Sequence, residues 1–319
     1  MISDAVIRNQ INNALESIGL EIGKRIEGKV RDSFVLDGKR VIVTTDRISA
    51  FDRVLTTIPF KGQVLNQTSA FWFDKTKRIV PNHVIEVPDP NVMVVKECKQ
   101  YPVEVVVRGY ITGVTTTSLW YNYSRGVRMY CGVKLPEGLK KDQKLDAPII
   151  TPTTKALHGA HDLLISKEEI LSQGLVSKDE YEKIEEYAYK LFEFGQREAA
   201  KNGLILVDTK YEFGKSDGEI MVIDEVHTPD SSRFWFSKNY GELFSKGIDQ
   251  QSFDKEYVRR YLAERGFIGE GKIPPIPDDV KVEAAKRYIT AYETITGQNF
   301  VADNSNVAER IKKNLRRYL

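Results

Sequence analysis

Apolar positions recur at helical spacing from the start of the chain. Val6, Ile7, Ile11, Ala14, Leu15 and Ile18 fall on one face of residues 2–19, with Ser3 placed to cap the helix and Gly19 to stop it. The pattern then changes to short β-type runs. Residues 30–36 and 40–45 are two of them, and the Asp37-Gly38 between them is a hairpin signal. Residues 63–79 turn helical, and 91–97 and 103–107 read as strands again. The stretch from 132 to 162 is rich in Pro, Gly and Lys and reads as loops. The clearest long helix is 178–202, where Tyr181, Ile184, Ala188, Leu191, Phe192 and Gly195 mark one face and Gly203 ends it. A second hairpin follows, with strands at 204–213 and 219–226 around Lys215-Ser216-Asp217-Gly218. Helical segments at 254–265 and 280–296 flank a Pro-rich IPPIPDD. No internal repeat or low-complexity tract interrupts this order. Early strands and helices flanking the second hairpin predict an α+β protein.

Composition narrows the class. A chain of 319 residues has room for two domains of about 150, and the expected division is 1–100, mostly β, and 101–319, larger and mixed. With 41% hydrophobic residues it can build a core, which excludes overall disorder. The net charge of +2, from 47 basic and 45 acidic residues, supplies no broad field for nucleic acid or membrane. Neither is expected as a partner. Cys98 and Cys131 cannot build a disulfide framework or a Cys-based zinc site. No apolar run reaches the roughly 18 residues of a membrane helix, and the N-terminus lacks the build of a signal peptide. A cytoplasmic protein is expected, and a homo-oligomer is compatible with the sequence.

Candidate chemistry gathers in four places. In Glu27-Gly28-Lys29-Val30-Arg31-Asp32, glycine lets backbone amides approach a phosphate while Lys29 and Arg31 neutralise it; a solvated surface turn is the alternative. Thr44–Asp52 puts turn-forming polar residues at the end of an apolar strand, where binding groups collect or Asp46 caps local backbone. In Tyr101–Gly109, Glu104, Val106 and Arg108 share one strand face. Arg108 suits capture of a carboxylate or phosphate, or else forms an internal pair with Glu104. The strongest feature is LILVDTKYEFG, whose alternation places Asp208, Lys210 and Glu212 on one face of a largely apolar strand. The returning strand adds Asp224 and Glu225 nearby. Paired carboxylates without cysteine ligands suit a hard cation such as Mg²⁺ shared with phosphates, whereas the alternative is a solvated face of cross-strand charge pairs. His83, His158, His161 and His227 show no zinc-ligand spacing, and GxSxG, HExxH, GxGxxG and EF-hand patterns are absent.

Taken in order, seven segments resemble the SAICAR synthetase family: GKVRD (28–32), TTDRISAFD (44–52), FKGQVLNQ (60–67), YPVEVVVRGYITG (101–113), TPTTKA (151–156), LILVDTKYEFG (204–214) and IDEVHTPDSSRFW (223–235). The resemblance spans most of 24–240, and the longer middle and C-terminal extension are similar to the family's larger members. One position departs: where the family carries serine after Arg-x-x-x-Thr-Gly, this chain has Val114, with Thr115, Thr116, Thr117 and Ser118 as substitute hydroxyls. The resemblance implies a two-domain fold similar to kinase-like and ATP-grasp proteins. It also implies an ATP-dependent ligase of purine biosynthesis that joins L-aspartate to carboxyaminoimidazole ribonucleotide (CAIR). By position, Gly28, Lys29 and Arg31 would line the nucleotide phosphates, and Lys96, Gln100 and Glu104 would hold ATP. Glu212 and Asp224 would bind Mg²⁺. Arg108, Asp208, Lys210 and Arg233 would bind CAIR or aspartate, with Ser49, Lys61 and Asp230 nearby. Separately from the resemblance, the amine of aspartate must lose a proton to attack, and Asp208 is the candidate acceptor.

Overall fold

The computed structural model describes residues 2–51, 53–155, 163–253 and 257–318. Ser3 caps α1 (Asp4–Asn9), accepting the Val6 N–H. The helix expected over 2–19 stops there: a single 3₁₀ turn at Ile11–Asn13 follows, and Ala14 is extended. Tertiary contacts override the helical spacing. The Leu15 amide donates to the Asp46 carboxylate at 2.7 Å, and Leu15, Ile18 and Ile22 bury with Phe34 and Val41.

Five strands then form an antiparallel sheet: β1 (Lys24–Glu27), β2 (Arg31–Leu36), β3 (Lys39–Thr44), and after β4 (Arg47–Ala50), β5 (Arg53–Thr57) and α2 (Lys61–Thr76), also β6 (Val84–Asp89) and β7 (Val92–Lys96). The order is β1-β2-β3-β7-β6, with β4 and β5 paired separately. The Asp37-Gly38 hairpin forms between β2 and β3, Gly38 supplying a φ of 65°.

A second sheet is built on β8 (Lys99–Ile111). After α3 (Leu119–Tyr123) and the short pair β9 (Met129–Tyr130) and β10 (Val133–Lys134) come β11 (Gln143–Ile150) and β12 (Thr153–Thr154). The stretch expected to be loops therefore contributes to the sheet. Pro148 is tolerated because β11 lies at the edge, where its register with β8 breaks between Lys144 and Ile149. Helices α4 (Lys167–Ser172) and α5 (Lys178–Lys201) lead to β13 (Leu204–Ser216), β14 (Glu219–Ile223) and β15 (Ser232–Phe236). The order is β11-β8-β13-β14, with β12 beside β8 and β15 beside β13. Helix α5 buries the predicted face, Tyr181 to Gly195, and packs on one side of this sheet, with Phe192 against Gly109. The opposite side carries the charged groups of β8 and β13 and, at one end, an aromatic cluster of Tyr110, Trp235 and Tyr240.

The tail runs through α6 (Ser237–Lys246), α7 (Tyr257–Ala263), α8 (Asp278–Thr296) and α9 (Val307–Asn314). The start of the helix expected at 254–265 lies outside the described residues. The chain divides into two compact units, Met1–Asp74 with His83–Glu97 and Phe253–Leu319, and Lys75–Asn82 with Cys98–Ser252. The tail thus groups with the first unit, where the sequence reading placed it with the second. Its apolar faces explain this: Ala285, Ile289 and Tyr292 of α8 bury with Ile48, Ile58 and Leu65, and Ile311 of α9 with Phe34, Val41 and Val94. A buried ion pair adds to it, Arg310 reaching Asp89 at 3.0 Å and Asn91 at 2.6 Å. Among the described residues no helix is long and apolar enough to cross a membrane.

Candidate active site

The polar side of the second sheet is assembled by register. Pairing of β13 with β8 sets Asp208 opposite Arg108, Lys210 opposite Val106 and Glu212 opposite Glu104. Two charged alternations separated by about a hundred positions thereby meet on one face. The flanking strands complete it, β12 placing Thr153 opposite Glu104 and β15 placing Arg233 opposite Asp208.

At one end, the Lys210 ammonium lies 2.6 Å from Glu104 Oε1 and 2.9 Å from Glu212 Oε1. Lys155 Nζ reaches Glu212 Oε2 at 2.6 Å, and the Gln100 amide donates to the same oxygen. Thr153 donates to Glu104 Oε2 at 3.3 Å. Burial alone would push the Glu212 carboxyl up, but Lys210 and Lys155 hold it well below the usual range. Burial would likewise pull Lys210 down. The Glu212, Glu104 and Asp224 carboxylates outweigh it and keep the ammonium charged. Asp224 follows β14 with a left-handed φ of 64°, a conformation that aspartate tolerates better than most residues.

At the other end, Asp208 Oδ2 sits 3.7 Å from Arg108 Nη1 and 3.5 Å from Arg233 Nη1. Those distances exceed hydrogen-bond length, so both guanidinium groups keep donors for an anion. Arg108 is oriented by Thr151 Oγ1 at 2.8 Å and by the Thr117 carbonyl at 3.3 Å. The Glu104–Arg108 pair considered from the sequence does not form, because each residue has nearer partners. Gly113, at φ 93°, comes so close to Ser118 that a Cβ there would sit 2.5 Å from its hydroxyl oxygen. The Val114 side chain is exposed, and of the substitute hydroxyls it is Ser118 that is buried here, bonded to Thr115. Asp230 is half-buried in a turn closed by Thr228 and Ser231.

The first unit holds the remaining candidates. Gly28 closes on Arg31, its amide donating to the Arg31 carbonyl at 2.8 Å, and a Cβ there would meet that oxygen at 2.8 Å. Glycine is therefore required. Lys29 is exposed and Arg31 half-buried. Beneath them the buried Arg47 donates to the Gly28 carbonyl (2.9 Å), the Lys29 carbonyl (3.1 Å) and Asp32 (2.7 Å), fixing the turn from below. Asp46 does not cap a local turn: its carboxylate accepts the amides of Leu15 and of Gly62 at the start of α2. Ser49 is half-buried on β4, Lys96 is exposed at the end of β7, and Lys61 is buried with its ammonium 5.2 Å from the Tyr288 ring centre. His158 and His161 lie outside the described residues, and neither cysteine is in a disulfide.

Sequence reasoning missed Lys155, Thr151, Thr153 and Arg47. The period-two spacing of Thr151, Thr153 and Lys155 was a legible sign of one strand face. Nothing in the sequence marks Arg47 as the clamp beneath Gly28. Among the described residues no group of three or more His, Cys, Asp or Glu side chains could hold a metal ion alone. Both Glu212 carboxylate oxygens are engaged instead by Lys210, Lys155 and Gln100.

Residues 24–273 match the family model for SAICAR synthetase. The chain belongs to the SAICAR synthetase family. It is 48% identical over 309 residues to the phosphoribosylaminoimidazole-succinocarboxamide synthase of Legionella pneumophila (strain Paris), covering 96% of this chain and 98% of that one. With the Bacteroides fragilis (strain ATCC 25285) synthase it shares 52% over 297 residues, covering 92% and 93%. The Saccharomyces cerevisiae SAICAR synthase in complex with SAICAR superposes with a TM-score of 0.79 at 34% identity, over 91% of this chain and all of that one. A type-2 SAICAR synthetase in complex with ADP gives 0.66 at 28% identity, over 88% and 100%. Membership in the SAICAR synthetase family accounts for the α+β architecture.

Proposed function

We propose that this chain is an ATP-dependent ligase that joins L-aspartate to the carboxylate of CAIR, giving SAICAR, ADP and phosphate. The observation that carries the reading is the single face formed by β8 and β13. It sets an acidic group with a captive ammonium (Glu104, Lys210, Glu212) beside an arginine pair around a carboxylate (Arg108, Asp208, Arg233). The arginines suit substrates that carry carboxylates and a phosphate.

The chemistry proceeds in two balanced steps. A carboxylate oxygen of CAIR attacks the γ-phosphorus of ATP, releasing ADP and leaving an acyl phosphate. The amine of aspartate then attacks the acyl carbon, loses a proton and expels inorganic phosphate. The first step needs charge neutralisation and in-line alignment more than a nucleophile from the protein. Lys210 supplies positive charge at the face, and Lys29 and Arg31, set by the Gly28 turn, belong to the same proposal as the phosphate grip. Gln100 and Lys96 would hold the nucleotide with them. Glu212 and Asp224 would hold Mg²⁺, which supplies charge stabilisation to transferring phosphate oxygens. Arg108 and Arg233, with Ser49, Lys61 and Asp230 as further candidates, orient the carboxylate substrates. Asp208 receives the amine proton, since its two charged neighbours are arginines that cannot act as bases. A cytoplasmic location is part of the proposal.

The test is phosphate release by purified protein with MgATP and CAIR, with and without L-aspartate. Release that depends on aspartate, with a product heavier than CAIR by one aspartate less water, is expected. ADP formation without an amide product refutes the reading.

A further inference from the structure

Tyr211 lies between Lys210 and Glu212 in sequence, but its side chain points to the opposite, α5-covered side and is fully buried. Its hydroxyl is 2.5 Å from Nε2 of His227, which is also fully buried. His227 has a left-handed φ of 49°, a strained conformation for a residue without glycine's freedom. Helix α5 leaves the imbalance of space to glycine: a Cβ on Gly195 would come within 2.3 Å of the His227 ring. The hydroxyl of Thr209, two residues before Tyr211 on the same face, lies 2.7 Å from Ser232 Oγ. A buried row of two polar pairs therefore ties residues 227–232 to β13, His227 to Tyr211 and Ser232 to Thr209.

Its two ends bracket the segment that carries Asp230, between Asp224 and Arg233. The backbone agrees, since Lys210 N–H donates to the Ser231 carbonyl at 3.0 Å. Burial pushes the His227 imidazole down to about 3, so it stays neutral, and burial holds the Tyr211 phenol protonated. Neither residue reaches the polar face of the sheet.

We infer that Tyr211 and His227, with Thr209 and Ser232, form a positioning latch that fixes residues 224–233 against β13 and so sets Asp224 and Arg233 relative to Asp208, Lys210 and Glu212. Its effect on turnover rests on the ligase reading above; its effect on the order of the segment does not. The latch holds geometry and takes no part in bond making.

The variant is Tyr211→Phe, which keeps the ring and deletes the shared oxygen. Removing one buried hydrogen bond of this kind is worth about tenfold in a local opening equilibrium. Amide hydrogen exchange in peptides spanning 224–233 should accelerate by about that factor, while exchange in α5 stays close to wild type. In steady-state kinetics, kcat per folded molecule should fall about tenfold or more, with the folded fraction taken from circular dichroism. Thr209→Val should repeat both effects more weakly, and Thr209→Ser, which keeps the hydroxyl, should restore them, so the inference survives if one variant folds poorly. Unchanged exchange over 224–233 in both Tyr211→Phe and Thr209→Val overturns the latch. Faster exchange with wild-type kcat and KM reduces it to a structural contact and overturns the positioning role. If the wild-type protein makes no amide product while exchange behaves as expected, the ligase reading fails and the latch stands.

Discussion

Asp46 offers a quantitative test of how the first unit is built. Its carboxylate is buried at the meeting point of three segments, accepting Leu15 N–H at 2.7 Å and Gly62 N–H at 2.8 Å. Burial pushes it up to about 6 despite those two amides and the nearby Lys61 and Arg310 charges. An aspartate in the unfolded chain titrates near about 3.9. The folded state therefore holds the proton more tightly, and Asp46 favours folding fully below about pH 3.9 and loses that contribution as pH rises through about 6. At pH 7 the ionised group costs about 3 kcal/mol relative to its protonated form. Integrating from pH 7 to pH 5 returns about 1 kcal/mol, severalfold in the folding constant. Asp46→Asn removes this titration while keeping the shape, so the difference between the two proteins cancels every other group that titrates in the window. Equilibrium urea unfolding at pH 7 and pH 5 is the assay. The stability of wild type relative to Asp46→Asn should rise by about 1 kcal/mol on acidification. A gap that stays constant, or shrinks, refutes the reasoning.

Three further outcomes follow from the same geometry. Gly62→Ala should destabilise by about 2–4 kcal/mol in urea unfolding, although alanine normally gains about 1 kcal/mol over glycine inside a helix. The added Cβ would meet the Thr44 carbonyl oxygen at 2.4 Å and Asn91 Nδ2 at 2.6 Å; a variant as stable as wild type contradicts this. Lys210→Met should lower turnover by about a hundredfold or more with far-ultraviolet circular dichroism unchanged, because Glu212 retains Lys155 and Gln100. Turnover within about threefold of wild type would remove Lys210 from the chemistry. Arg310→Met removes the charge partner of the fully buried Asp89 and should cost about 3–5 kcal/mol, whereas a loss below about 1 kcal/mol would mean that the Asn314 amide and the Asn91 N–H satisfy that carboxylate without it.

Much of this was legible in the sequence where a single element decides the outcome. The alternation in LILVDTKYEFG gave the face of Asp208, Lys210 and Glu212, and the 3.6-residue spacing of α5 gave its buried side. What depends on distant partners was not. The apolar spacing of 2–19 is helical, yet Asp46, some thirty residues on, pulls Leu15 out of the helix. Residues 143–150 carry loop composition because an edge strand tolerates proline and a broken register. The grouping of the tail with the first unit is not legible either, because nothing local says that α8 buries with Ile58 and Leu65. At the site, residue types were readable but pairings were not: Glu104 binds Lys210 rather than Arg108, and Lys155, just past β12, joins Glu212.

The central claim is that a carboxylate is activated by phosphoryl transfer on this face before an amide forms. CAIR labelled with ¹⁸O in its carboxylate, turned over with MgATP and L-aspartate, tests it directly. The account predicts one labelled oxygen in each inorganic phosphate released and the other retained in the amide carbonyl. Phosphate released without label, alongside the same amide product, would contradict it.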